Sequence, residues 1–234
     1  MSGLEIINCE QGSAEWHRAR AGVPTASEFD TVMAKGRDGG PSKTRRTYML
    51  TLIGQIATGE VIEGFSNIHT ARGHALEPKV RELYAFCSDE PPVPVGFMKR
   101  GKAGASPDSL VGEKGLLEIK TKLPHLQLEV LLADEMPAEH KPQVQGQLWI
   151  AEREWVDFCS YWPGLPMFQK RVYRDEAYIK TIAAAVDRFV EEMQELMHRL
   201  QIKPAAPAVT TPAPAPALPL TAAALAVPSV AEAF

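Results

Sequence analysis

Asp108, Glu118 and Lys120 are the residues whose types and spacing could do chemistry. They lie in SPDSLVGEKGLLEIKTK, Ser106 to Lys122, which reads as two short strands around a turn at VGEKG. Residues two apart on a strand share a face. Glu118 and Lys120 therefore point one way, and Leu117, Ile119 and Thr121 point the other way, toward a core. The turn brings Asp108, separated from Glu118 by nine residues, back beside it. Two neighbouring carboxylates repel, and their pKa values rise unless a cation sits between them. Magnesium supplies such a charge and takes oxygen ligands, usually one or two carboxylates with water and substrate phosphate. The backbone carbonyl of Ile119 can add a further oxygen, and Lys120 can orient and help deprotonate a water for in-line attack on phosphorus. Solvated charges on an exposed hairpin are the alternative, and Glu-x-Lys alone does not separate the two.

Helices and strands must hold this hairpin. TASEFDTVMAKG reads as a helix with a capping box, Thr25 as N-cap and Glu28 at N3, stopped by Gly36. A second helix is predicted over Thr44–Thr58, with Met49, Leu52, Ile53 and Ile56 at helical spacing. A third spans Thr70–Phe86 with Leu76, Val80 and Leu83 as its apolar stripe, kinked or restarted at Pro78. The period then shortens: PVPVGFMKRG, KAGASPDSLV and KGLLEIKTK read as strands. Helices follow near His125–Ala133 and Ala138–Ala151, strands at Trp155–Trp162 and Met167–Tyr173, and a long amphipathic helix over about Asp175–Leu200. From Pro204 the chain is dominated by Pro and Ala, with Glu232 its one charge. The organisation is thus one α/β domain over residues 1–203 and a disordered tail over 204–234. The tail is either passive or, through LTAAALAVPSVAEAF, a docking segment.

Composition narrows the classes. Three dispersed cysteines suit a reducing cytosol and cannot make a four-cysteine site. No run approaches the roughly 18 apolar residues of a membrane span. MSGLEIINCEQG has no basic region followed by an apolar core, so a cytoplasmic protein without a secretory signal is expected. A formal net charge of −4 argues against a chain that coats nucleic acid, although it leaves the placement of charges open. The loop AKGRDGGPSKTRR is locally basic: Lys35, Arg37, Lys43, Arg45 and Arg46 face one acid, Asp38. It is either a solvated loop or a set of contacts to a DNA backbone.

PD-x9-ExK is the pattern of the PD-(D/E)xK nuclease superfamily, and the chain resembles lambda exonuclease and its YqaJ-type relatives. Four stretches carry the resemblance in order across most of residues 10–200: EWHRARAGVPTASEF, GHALE, the SPD/EIK hairpin and PQVQGQLW. It implies a restriction-endonuclease-like α/β core, a central mixed sheet flanked by helices. It implies that Glu77, in GHALE, joins Asp108, Glu118 and the Ile119 carbonyl around two magnesium ions, which manganese can replace. Gly73, one turn before Glu77, leaves room beside that carboxylate. A solvated helix acid is the other reading of Glu77.

Gln143, the first Gln of QVQGQ, matches a family residue near the attacking water, whereas Gln145 and Gln147 read as a polar helix face. Arg20, Ser27 and Ser106 match the residues that hold a terminal 5′-phosphate, a role suited to an arginine fork and short hydroxyl donors beside a helix start. Trp16 reads as packing, and His17 as a surface residue or one that supports the site from behind. The implied activity is 5′→3′ exonuclease action on double-stranded DNA, leaving 3′ single-stranded overhangs. The implied assembly is a ring-shaped homotrimer working with a single-strand annealing protein. A related nuclease of other polarity, an endonuclease, and a catalytically silent DNA-binding scaffold are the alternatives.

Overall fold

The structure, a computed structural model, describes residues 3–61 and 68–205. In chain order the elements are β1 (Leu4–Ile7), α1 (Ala14–Arg20), α2 (Phe29–Met33), α3 (Lys43–Thr58), α4 (Ile68–Cys87), β2 (Pro92–Val93), β3 (Phe97–Arg100), β4 (Ala103–Ala105), β5 (Ser109–Val111) and β6 (Gly115–Thr121). They continue with α5 (Pro124–Ala133), α6 (Lys141–Ala151), β7 (Trp155–Tyr161), β8 (Phe168–Tyr173) and α7 (Glu176–Arg199). Five strands form a mixed sheet in the order β2-β5-β6-β7-β8, and β1-β3-β4 form a second, antiparallel sheet. In the larger sheet β6 and β7 run parallel and the other pairs antiparallel. The expected α/β architecture is present.

The hairpin is not an edge. Ser109 pairs with Leu117 and Val111 with Gly115, so VGEKG makes the turn, and β7 covers the far side of β6. Both faces of β6 are buried. Leu116, Val156 and Phe158 join Phe29, Val144, Leu148 and Phe189 in the larger core cluster. Leu117, Ile119, Cys159 and Tyr161 face Val80 and Tyr84 of α4 in a second. The predicted inward face of Leu117 and Ile119 is therefore correct, but the Glu118 face is interior as well. On α4 the buried stripe is Val80 and Tyr84; Leu83 is exposed, a correction to the predicted stripe. Pro78 lies inside a continuous helix.

Other differences have local causes. Thr25 makes no side-chain capping bond, and Ala26–Glu28 form a single 3-10 turn before α2. Glu28 occupies the N-cap position of α2 and makes no side-chain capping bond, so the expected capping box does not form. Thr25 instead bridges to Gly104 of β4, and its hydroxyl is taken by Arg20 and Ser27. That helix ends at Met33, short of Gly36, because a Lys35–Pro41 bridge and a Gly36 N–H to Gly40 carbonyl bond fold the chain back. The segment predicted as Ala138–Ala151 is a 3-10 turn, Ala138–His140, followed by α6, with Pro142 in the first helical turn where its missing N–H is harmless. β1 and α1 carried no sequence expectation. β1 is a short, half-exposed strand, and α1 buries no residue and is held by its Ser13 cap. The Ala205 N–H donates to the Ile56 carbonyl, and the expected tail beyond it lies outside the described residues.

Gly146 fixes how α6 approaches the sheet. A Cβ there would overlap the Phe29 ring and press on Ala26. Gly146→Ala is expected to destabilise the fold by about 1–3 kcal/mol through overpacking. Urea unfolding checks this, and an unchanged midpoint would show that α6 can shift freely.

Candidate active site

Glu118 sits at mid-strand with 2% of its surface exposed. A buried carboxylate requires donors, and three reach it. Gln143 Nε2 donates to Oε1 and Gln147 Nε2 to Oε2, each at 2.6 Å, and the Lys120 ammonium lies 2.7 Å from Oε1. Gln143 and Gln147 are one turn apart, so α6 presents both on one face. Asp108 arrives at the start of β5, and its Oδ2 accepts the Ile119 N–H at 2.5 Å. Burial pushes the Asp108 carboxyl well above the usual range, and the nearby Glu118 and Glu77 charges push it further. On Lys120, burial acts downward but is outweighed by the Glu118 and Asp108 charges, so its pKa lies above the ordinary value and it is an ammonium at neutral pH.

Glu77 reaches the site from α4, paired with Arg81 one turn later. Gly73 marks the near approach of this helix to β6: a Cβ there would sit 3.4 Å from Thr121 Oγ1. Glu77, Asp108, Glu118, Ile119, Lys120 and Gln143 all line one cleft of about 560 Å³.

The same cleft is lined by Arg20, Ser27 and Ser106. Arg20 donates to Ser106 Oγ at 3.1 Å, to Thr25 Oγ1 at 3.3 Å and to Ser27 Oγ at 3.5 Å. Its guanidinium lies over the Trp16 ring, 4.1 Å from the centroid, and Trp16 Nε1 donates to Ser106 Oγ at 2.9 Å. Burial lowers the Arg20 pKa, yet arginine remains charged. The geometry thus gathers one guanidinium and three hydroxyls beside the acid cluster.

Sequence reasoning missed several participants. Trp16 is more than packing, because it both carries Arg20 and binds Ser106. Gln147 is buried and bonds Glu118, and Gln145 is buried and bonds the Tyr173 carbonyl and the Asp175 N–H, so these two do not form a solvated polar face. Gln11 holds the PD turn, donating to the Pro107 and Val95 carbonyls at 2.9 and 2.8 Å. The four-residue spacing of Gln143 and Gln147 was the available signal; nothing local marked Gln11.

The basic loop lies elsewhere. Lys35, Arg37, Lys43 and Arg46 are exposed. Lys35, Lys43 and Arg46 line clefts against α7 that share no residue with the cleft of the three acids. Arg45 is removed from the list of free cations. It is buried, forms a two-pronged ion pair with Glu192 at 2.6 and 3.0 Å, and donates to the Val32 carbonyl, which ties α2 and α3 to α7.

The carboxylates suit a hard divalent cation: three acids and Ile119 line one cleft, and Asp108 is penalised by burial and by its acidic neighbours. Among the described residues no three such side chains already converge in a metal-binding arrangement. One Glu77 oxygen is engaged by Arg81, one Asp108 oxygen by the Ile119 amide, and both Glu118 oxygens by Gln143, Gln147 and Lys120. The second oxygens of Glu77 and Asp108 are open to an ion, and Glu118 Oε2, which takes one donor, keeps a lone pair for it as well.

The chain matches the YqaJ-like viral recombinase domain over residues 15–154. The alkaline exonuclease LHK-Exo from Laribacter hongkongensis is 34% identical, with a TM-score of 0.73, covering 81% of this chain and 96% of that one. LHK-Exo in complex with dAMP gives 35% identity and a TM-score of 0.74 at the same coverage. A phage related exonuclease from Haemophilus somnus 129PT, 14% identical with a TM-score of 0.58, covers 76% of this chain and 96% of that one and shares the fold. No curated protein sequence matches. The fold and hairpin are those of a PD-(D/E)xK-type nuclease core. The chain belongs to the YqaJ-like viral recombinase family.

The Asp108 shift carries a stability consequence. A carboxyl whose folded pKa is raised favours the fold at low pH, and that contribution is lost as pH rises through the folded pKa. In EDTA, Asp108→Asn is therefore expected to melt above wild type at pH 7.5, with the gap narrowing at pH 5. A gap that is independent of pH would show that neither burial nor the neighbouring acids raise the Asp108 pKa.

Proposed function

We propose that the protein is a magnesium-dependent 5′→3′ exonuclease on double-stranded DNA, leaving 3′ single-stranded overhangs. One observation carries the reading: the acid–lysine cluster and the Arg20–Ser27–Ser106 pocket line a single cleft. A terminal 5′-phosphate held by Arg20, Ser27 and Ser106 would place a phosphodiester beside Glu118 and Lys120, so the product is a short 5′-phosphorylated piece.

Glu77, Asp108, Glu118 and the Ile119 carbonyl would hold the magnesium, two ions in the fullest form, with manganese able to replace it. Bound there, a divalent cation polarises the phosphoryl oxygen, makes water a better nucleophile and neutralises developing charge. The chain's own residues do the rest. Gln143 and Gln147 fix the Glu118 carboxylate so that its oxygens do not rotate. Lys120 lies on the same side, where its ammonium can orient the attacking water. Burial acts downward on its pKa, and the Glu118, Asp108 and Glu77 charges and the bond to Glu118 act upward; a cation among the acids would offset those charges, so that Lys120 could give up its proton to solvent and then take one from the water. Family resemblance extends the proposal to a trimeric ring and a single-strand annealing protein as partner, both in the cytoplasm. Among the described residues no helix is long and apolar enough to cross a membrane.

The assay is nucleotide release from linear duplex DNA labelled at either end. Magnesium-dependent loss of the 5′ label first is expected. Glu118→Ala should abolish release, and Lys120→Ala should slow it by about 10²–10⁴. Early loss of the 3′ label would reverse the polarity, cutting of covalently closed circles would make the protein an endonuclease, and binding without cleavage would make it a scaffold. Arg20→Ala should remove most of the preference for phosphorylated over hydroxyl 5′ ends, about 10–100-fold for a lost charge-assisted contact. An undiminished preference would take Arg20 out of that pocket.

A further inference from the structure

Arg81 lies outside the acid–lysine set, yet it joins two of its parts. It stands one turn after Glu77 on α4. Its Nε donates to Ser109 Oγ at 3.0 Å, and its NH2 donates to the Glu77 carboxylate and, at 3.4 Å, to the main-chain carbonyl of Asp108. Ser109, fully buried, donates to that same carbonyl at 2.6 Å. The guanidinium fork therefore spans from the helix to the first residues of β5.

Glu77 needs such a fixture more than its partners do. Asp108 and Glu118 sit on paired strands, where the ladder sets their positions. Glu77 sits on a helix immediately before Pro78, which has no N–H to give the His74 carbonyl and disfavours helical geometry at the residue before it. The helix is thus weakest in its own hydrogen bonding where it must be most exact in placement. Arg81 takes Oε1 of Glu77 and leaves Oε2 turned toward His74 Nδ1, 4.0 Å away, on the wall of the catalytic cleft.

We infer that Arg81 is a positioning residue for the divalent-cation site: its fork sets the spacing between Glu77 and the Asp108 strand and selects the Glu77 oxygen that faces the cleft. This rests on the reading of Glu77, Asp108 and Glu118 as cation ligands. An exposed helix ion pair would need only a charge at position 81; a positioning role needs the planar fork with its parallel donors, which lysine cannot supply. Groups that hold a ligating carboxylate in place typically change metal affinity by about 10–100-fold when removed.

The test is a titration of the full chain with manganese, following the electron paramagnetic resonance signal of the free ion. R81K and R81A are both expected to weaken manganese binding about 10–100-fold. Binding to duplex ends in EDTA should stay within about twofold of wild type. Adding R81A to E77A should cost little further, because Arg81 acts through Glu77. Manganese affinity in R81K equal to or tighter than wild type overturns the inference, as does a loss in the double variant equal to the product of the two single losses. Should R81A fail to fold, S109A removes one anchor of the fork and is expected to weaken manganese by a smaller factor; unchanged affinity there counts against the fork. A wild-type chain that binds no manganese overturns the cation site itself, whereas a wild-type site insensitive to R81K overturns only the role of Arg81.

Discussion

A carboxylate buried at the centre of the main sheet is the constraint on which the rest of the structure depends. Glu118 is almost wholly removed from solvent. Such a group is tolerated only where donors replace water, and losing one partner of a buried charge typically costs about 3–5 kcal/mol. Its donors come from two places. Lys120 is on the same strand and face; Gln143 and Gln147 come from α6. The β6–β7 pair is parallel, so the chain must cross over between these strands. That crossover is the segment containing α5 and α6. The connection that the parallel pairing demands is therefore the one that delivers the glutamines, and the absent side chain at Gly146 lets α6 come close enough against Phe29 to bring them in.

The three acids are not equivalent. Glu118 has donors on both oxygens. Asp108 has one amide and two acidic neighbours, so its charge is the least compensated. Glu77 is partly exposed and shares its charge with Arg81. Cations are distributed to keep this gradient. Lys122 is two residues beyond Lys120 and leaves β6 on the same side, but it is turned aside, held by Glu139 at 3.1 Å and His140 Nε2 at 3.0 Å. Burial, then Lys122 and Lys120, lowers the His140 pKa to about 4, so at neutral pH its ring is uncharged and accepts from Lys122. One ammonium thus faces the acids and the next is drawn off, so Lys122 does not add its charge to the cluster.

How much of this was legible in sequence follows from the range of each interaction. The hairpin was readable because strand alternation and a Gly-flanked turn are local, and the β5–β6 register places Asp108 beside Glu118 as the spacing required. The helix α3 was readable from period and ends to within a residue. Thr25 failed because its hydroxyl had a better partner than the helix N-terminus: Arg20, brought alongside by packing of α1 against β3. Arg45 failed for the same kind of reason. In sequence it belonged to a basic run, but Glu192, on α7 at the far end of the chain, makes it part of the core. Leu83 and Tyr84 exchanged places because the helical stripe was counted from aliphatic residues, whereas the buried partner of Val80 is an aromatic whose hydroxyl reaches buried Asp157 at 2.7 Å. Pairs four apart on one helix, Gln143 with Gln147 and Glu77 with Arg81, were visible in the sequence; their meaning depended on where each helix docks.

The proposed ligand sharpens the matter of charge. A protein of net charge −4 does not hold DNA by overall attraction. What matters is where cations stand against a cleft whose floor is acidic. Within the cleft the cations are few and specific: Arg20, backed by the Trp16 ring, and Lys120. An isolated guanidinium held by hydroxyls and an aromatic face gains more from a terminal phosphate, with its extra charge and free oxygens, than from an internal diester. The exposed cations Lys35, Arg37, Lys43 and Arg46 stand outside this cleft, so they can add only the salt-sensitive attraction that guides a duplex without reading it. On the proposed reading, affinity along the duplex and choice of the chain end are thus separate physical problems, met by separate parts of the surface, and only the second is built into the core that Glu118 organises.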